Sequence, residues 1–108
     1  MESNQHKLII TIVGKGKHGR VVDIAHKAGA PGGTVLTGHG AAVRLFPGIH
    51  IDPEKEIILT VVGADKVERV LKAISDEMEL DSPNKGLAFV LPLDYVAGIS
   101  QDLDIEDY

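Results

Sequence analysis

Apolar and polar positions alternate between two rhythms along the chain. Lys7–Val13 (KLIITIV) is apolar at almost every position, rich in β-branched residues and bounded by Gly14, which predicts a buried strand. From His18 to Ala28 the apolar residues Val21, Ile24, Ala25 and Ala28 fall at helical spacing, and Gly29 supplies a stop. Pro31-Gly32-Gly33 reads as a turn, and Thr34–Thr37 (TVLT) as a short strand ending in Gly38-His39-Gly40. Ala41–Pro53 has no clean period and reads as a long loop, a kind of segment that in compact domains usually carries function. Glu56–Val62 (EIILTVV) returns to the strand pattern. Asp65 is an expected N-cap or first-turn acid for a second helix with Val67, Val70, Leu71, Ile74 and Met78 on one face. Asp81–Gly86 breaks that helix, Leu87–Val90 (LAFV) gives a fourth strand, and Pro92 opens a short closing segment.

The order β-α-β-loop-β-α-β predicts an α+β, ferredoxin-like sandwich: a four-stranded antiparallel sheet with both helices on one face. The first and third strands are apolar on both faces, so the side of the sheet away from the helices also needs cover. A second subunit is the economical cover. A single domain over residues 1–99 is expected, followed by an acidic tail over 100–108.

Composition narrows the functional classes. The chain has 108 residues and no cysteine, which removes disulfides and thiolate metal sites and is compatible with a reducing, cytoplasmic setting. Its strongest apolar run is too short to span a bilayer, and the start, MESNQHK, has no signal-peptide core. A net charge of −5 and only two Phe and two Tyr argue against nucleic acid as a partner.

Gly14-x-Gly16-x-x-Gly19 has the spacing of a dinucleotide-binding fingerprint. That fingerprint needs a parallel β-α-β unit and an acid about 20 residues on, and Ile24–Ile51 contains neither Asp nor Glu. Two readings are left: a solvated strand-to-helix turn, or a helix N-terminus that attracts an anion with Lys15, Lys17 and Arg20 nearby.

Three stretches, VVDIAHKAGAPGGTVLTGHG (Val21–Gly40), PEKEIILTVV (Pro53–Val62) and NKGLAFVLPLDYVAGI (Asn84–Ile99), resemble the PII family of signal-transduction proteins. The resemblance implies a homotrimer of ferredoxin-like subunits that binds an adenine nucleotide (AMP, ADP or ATP) between subunits, with no obligatory cofactor. It also implies control of a partner, such as a transporter or metabolic enzyme, through a flexible T-loop at about 41–54, with membrane contact only through that partner. Thr34 stands where the family meets adenine, Gly38 and Gly40 at the T-loop base, and Lys55 at its far stem. Lys85 and Gly86 stand in the phosphate-contacting B-loop. His39, between the two glycines, is a further ligand-binding candidate.

Departures from the family pattern accompany these matches. Leu87 occupies the usual B-loop Lys position, the C-terminal arginines are replaced around Gly98–Ser100, and Ala42 stands near the place of a Gln that serves 2-oxoglutarate and magnesium. Fewer cations imply weaker binding or a preference for fewer phosphates. Lys17 and Arg20 are candidate replacement charges. The T-loop has no Tyr to uridylylate.

An alternative reading is a trimeric metal-binding or metal-tolerance protein using loop histidines such as His39 and His50. His18, His26, His39 and His50 form no H-x-x-x-H pair, however, and solvent-facing histidines account for them more simply. No Ser has an evident base beside it in sequence, and an enzyme is not expected.

Overall fold

The computed structural model describes residues 2–3, 5–41 and 54–98. Its elements run β1 (Glu2–Ser3), β2 (His6–Gly14), α1 (His18–Lys27), β3 (Thr34–His39), β4 (Glu54–Gly63), α2 (Val67–Glu77), β5 (Leu87–Pro92) and β6 (Tyr95–Val96). The main sheet has the order β3-β4-β2-β5, every neighbouring pair is antiparallel, and β1 pairs separately with β6. This is the anticipated β-α-β-β-α-β sandwich, extended by the small β1–β6 ribbon. A sheet without a parallel pair also rules out the dinucleotide-binding unit. Among the described residues, no helix is long and apolar enough to cross a membrane. Most of the proposed T-loop, and His50 with it, lies outside the described residues, as does the acidic tail.

Alternation along the strands sorts the core. Ile9, Thr11 and Val13 of β2 and Ile58, Thr60 and Val62 of β4 are buried beneath the helices. Val21, Ile24 and Ala25 of α1, and Val67, Val70 and Ile74 of α2 with Met78 just beyond, close over them. The helical stripes read from the sequence are therefore the core stripes. Each fully buried aliphatic side chain is worth about 1.5–3 kcal/mol relative to exposure, so this layer supplies most of the subunit's own stability.

The two helices are tied end to end by reciprocal arginine contacts. Arg20 Nη2 donates to the Glu77 carbonyl at 3.0 Å, and Arg69 Nε donates to the Ala28 carbonyl at 2.8 Å. Each guanidinium thus sits at the negative C-terminal end of the other helix, where free carbonyls and the helix dipole favour a cation. The pairing also shows that the helices run antiparallel.

Helix ends depart from expectation in two places. The N-cap of α2 is Lys66 without a side-chain capping bond, so Asp65 lies one residue outside the helix. The second helix stops at Glu77, before Asp81–Gly86, because the chain turns left-handed at Glu79 (φ 55°). There Glu79 N–H bonds the Asp76 carbonyl and Leu80 N–H bonds the Ser75 carbonyl, closing the orphan carbonyls as Gly29 and Ala30 do for α1. Glycine at φ +119° makes the first closure legible in the sequence, whereas a glutamate at the same position gives no such signal.

On its far side, the sheet presents Leu36 of β3, Ile57, Leu59 and Val61 of β4, Leu8, Ile10 and Ile12 of β2, and Leu87, Phe89 and Leu91 of β5. The strand register places them on one face. Leu36, Leu87 and Leu91 are 46%, 51% and 43% exposed. No described element of the subunit covers this face.

Two hydroxyls are buried in the helix-side core, Thr11 Oγ1 and Thr60 Oγ1, and neither has a hydrogen-bond partner among the described residues. An unpaired buried hydroxyl carries a desolvation cost of about 1–3 kcal/mol. Replacing Thr60 with Val keeps the β-branched shape and removes the polar atom. Thr60→Val is therefore expected to stabilise the protein by about 1 kcal/mol, read as a higher melting temperature at fixed protein concentration. A lower melting temperature would show that the hydroxyl is satisfied.

Candidate functional site

The end of the sheet where β2 gives way to α1 is also where β3 ends and β4 begins. Antiparallel pairing brings them together: Gly14 stands opposite Lys55, Lys55 opposite Gly38, and Glu54 opposite His39. Glu54 and Lys55, read from sequence as loop stem, are strand residues because β3 pairs with them as far as His39. A hollow of about 560 Å³ opens here, lined by Thr37, Gly38 and His39 of β3, Glu54, Lys55 and Glu56 of β4, and Lys15 from the following turn.

The hollow brings together three of the ligand-binding candidates, Gly38, His39 and Lys55. Gly40 follows directly on β3. Thr34 lies at the opposite end of β3, about 13 Å from Gly38 at the rise of a strand. Lys85 and Gly86 occupy the same end of the sheet on its other edge, since Leu87 pairs with Ile12. Three strand spacings, about 14 Å, separate β5 from β3, so one subunit does not join the two groups. Gly86 borders a second hollow, of about 460 Å³, beside Leu71 and Lys72 of α2. Its backbone (φ +127°) passes so close to β2 that a Cβ would lie 2.5 Å from the Ile12 carbonyl oxygen. Lys85 Nζ approaches Glu79 Oε2 at 4.0 Å.

The glycine-rich turn resolves differently from either sequence reading. Lys17 is the N-cap of α1 and makes no side-chain capping bond. The helix end is met instead by Glu56 from β4, whose Oε1 accepts the His18 backbone N–H at 2.9 Å and whose Oε2 lies 3.0 Å from His18 Nδ1. An anion does sit at this N-terminus, and it is the chain's own carboxylate. Lys15, next in the turn, pairs with Glu54 at 3.1 Å. Arg20 is committed to the helix layer and does not line the hollow. Lys15 was read with Lys17 and Arg20 as a charge for an anion, whereas Glu54 and Glu56 were not read as site residues, because only the hairpin register places them beside Gly38 and His39. The two glutamates' alternation with Lys55 on one strand was the available signal.

Among the described residues, no three His, Asp or Glu side chains gather in a way that would hold a metal ion. His18 is engaged by Glu56, and His26 Nδ1 lies 3.3 Å from the Ala30 carbonyl oxygen.

Comparison with known proteins decides the family. The family profile described as nitrogen regulatory protein P-II matches residues 6–102. The chain belongs to the P-II family. A search of curated protein sequences finds no match. Among solved structures, the Bacillus subtilis GlnK–ATP complex is similar with TM-score 0.67 at 20% identity, over 85% of this chain and 86% of that one. Arabidopsis thaliana PII bound to citrate matches with TM-score 0.64 at 25% identity, over 86% and 78%. CPII from Thiomonas intermedia K12, bound to ADP, AMP and acetate, matches with TM-score 0.65 at 16% identity, over 90% and 94%.

Within this P-II subunit, the Glu56 carboxyl is subject to opposed influences. Burial works to raise it, but the His18 backbone N–H, the His18 ring and the Lys17 backbone N–H outweigh burial, so it titrates below the ordinary 4.5. A depressed folded-state value means that the contact's stabilisation is complete above about pH 4.5 and is lost as pH falls through that value. Glu56→Gln is expected to melt lower than the parent at pH 7, with the gap closing below pH 4. Melting curves followed by circular dichroism from pH 7 to 3 measure this, and a gap that stays constant with pH contradicts it.

Proposed function

We propose that this P-II chain is a trimeric, cytoplasmic regulator and not an enzyme. In this reading an adenine nucleotide binds between subunits and biases the segment between β3 and β4, which contacts a partner protein. The observation that carries the proposal is the hollow at Gly38, His39 and Lys55. It lies at the base of that segment, on a subunit whose outer sheet face is apolar and covered by no described element.

The cost of that face supports association, and the count of three is taken from the family resemblance. Ten aliphatic or aromatic side chains stand there, Leu36, Leu87, Phe89 and Leu91 each more than a third exposed, and covering the face would gain about 25 cal/mol for each Å² of apolar surface still in water. Assembly would also supply what one subunit lacks, since Gly38–Gly40 and Lys85–Gly86 stand on opposite edges of the sheet, with Lys55 on the inner strand β4. A neighbour's Lys85 and Gly86 facing this chain's hollow would complete the cleft, with Thr34 reaching the base. Arg20, proposed from sequence as a phosphate cation, is better assigned to the tie between helices, while Lys17, the N-cap of α1 with no side-chain capping bond, stays a proposed charge for a phosphate.

Support for the nucleotide comes from relatives: the B. subtilis protein is a complex with ATP, and the T. intermedia protein holds ADP and AMP. Regulation requires that the ligand prefer one state of the partner-binding segment, because a ligand indifferent to both shifts nothing. The partner's class, a transporter or a metabolic enzyme, is taken from the family resemblance.

Isothermal titration with AMP, ADP, ATP and cyclic nucleotides is expected to give saturable heat for at least one. Silence from all of them at millimolar concentration would remove the nucleotide and leave the fold standing. Ile10→Asp places a charge at the centre of the open face, opposite Leu59 and Phe89. It is expected to convert trimer to monomer in sedimentation equilibrium. A trimer that survives the substitution would show that some other surface holds the subunits.

A further inference from the structure

The stretch Val13–Arg20 (VGKGKHGR) keeps three glycines, and close packing demands none of them. A Cβ at Gly14, Gly16 or Gly19 would meet no atom within 4 Å. Gly16 uses its freedom for a backbone φ of +87°. Gly19 has no such need: it lies inside α1, where alanine would fit and favour the helix. The helix also starts at Lys17, which makes no side-chain capping bond, and its first turn carries no acid. By its own sequence the first turn of α1 is weakly held.

What holds it comes from β4. Glu56, with its side chain only 12% exposed, accepts the His18 backbone N–H at 2.9 Å and meets the His18 ring at 3.0 Å. Glu56 is the third residue of β4, paired with Thr37 where the β3–β4 hairpin opens toward the proposed partner-binding segment. From the same helical turn Arg20 reaches the Glu77 carbonyl at 3.0 Å. Just past Glu77, the Glu79 and Leu80 N–H groups close α2 onto the Asp76 and Ser75 carbonyls. Glu79 Oε2 in turn lies 4.0 Å from Lys85 Nζ. A continuous line of contacts therefore crosses the helix layer, from the start of β4 to the loop before β5.

We propose that the first turn of α1 is a two-state relay that couples the stem of the β3–β4 segment to the Lys85–Gly86 loop. With Glu56 in place, the turn is folded and Arg20 is aimed at α2. When the stem draws Glu56 away, the uncapped turn opens, Arg20 leaves Glu77, and the end of α2 loosens with the loop behind it. Gly19 keeps the two states close in free energy, which an alanine would not do. The relay lies within one subunit and needs no nucleotide. That it would link one cleft to the next rests on the assembly proposed above.

Residue-resolved amide hydrogen exchange on the full-length protein tests the relay. Glu56→Ala is expected to speed exchange at Val21, whose N–H bonds the Lys17 carbonyl, about three- to tenfold, the size of losing a helix cap. Glu79 and Leu80 should speed up about two- to threefold, as expected for losing one exposed bond from a charged donor, while Ile9 in β2 stays unchanged. With Arg20→Ala already present, Glu56→Ala should add nothing at Glu79 and Leu80. Gly19→Ala should slow exchange at Val21, Glu79 and Leu80 together.

No acceleration in Glu56→Ala, or acceleration confined to α1, overturns the proposal. So does an equal acceleration at every amide including Ile9, or an effect on α2 that persists without Arg20. If Glu56→Ala does not fold, Gly19→Ala decides: slower exchange at Val21 with no change at Glu79 and Leu80 rules the relay out. Failure of every nucleotide to bind would remove the nucleotide reading and leave the outcome of this test unaffected.

Discussion

β2 is bonded on both sides, by β4 through nine residues and by β5 through six, and the rest of the subunit is positioned from it. A strand so placed cannot slip by one residue without turning Ile9, Thr11 and Val13 out of the core and Leu8, Ile10 and Ile12 into it. Both sets are apolar or nearly so, which makes the strand unusual: the register is fixed less by hydrophobic contrast than by its two neighbours and the helices above. The small, β-branched Thr11 on the helix side marks the inner face. Its hydroxyl, without a partner among the described residues, is tolerated because the shape fits.

The same central pairing produces an incomplete subunit. Two helices cover one face of a four-stranded sheet, and no described element is left for the other. The apolar far face and the separation of the two groups of family-matching residues on opposite edges are consequences of this one arrangement. A subunit built this way has both a reason to associate and a site that association would complete. The fold and the proposed assembly would then depend on the same strand register.

At the end of β2, electrostatics take over from packing. The chain puts its own carboxylates, Glu54 and Glu56, against the cations and free N–H groups of the glycine-rich turn. Both glutamates come from β4, and each answers a different part of VGKGKHGR: Glu54 its first lysine, Glu56 the helix start at His18. The turn is therefore an internal junction between the sheet and α1 as well as a wall of the hollow. Arg20, at the end of the motif, performs a third internal task by meeting the carboxyl end of α2.

Much of this could be read from the sequence. The strands, both helical stripes, the element order and the need for cover on the far face follow from periodicity, because burial on one or two faces is written directly into the spacing of apolar residues. The Gly29 stop was legible because left-handed backbone favours glycine; the Glu79 stop was not, because its hydrogen bonds and not its residue type enforce it. The strand character of Glu54 and Lys55 was hidden for a related reason: charged residues at a strand end take their conformation from β3 across the ladder. Gly38, His39 and Lys55 were individually visible. Only the antiparallel register could place Lys15 on Glu54 and His18 on Glu56, since those pairs are distant in sequence and their partners are chosen by which strand lies alongside. Periodicity determined what this chain buries, and tertiary structure decided which charges meet.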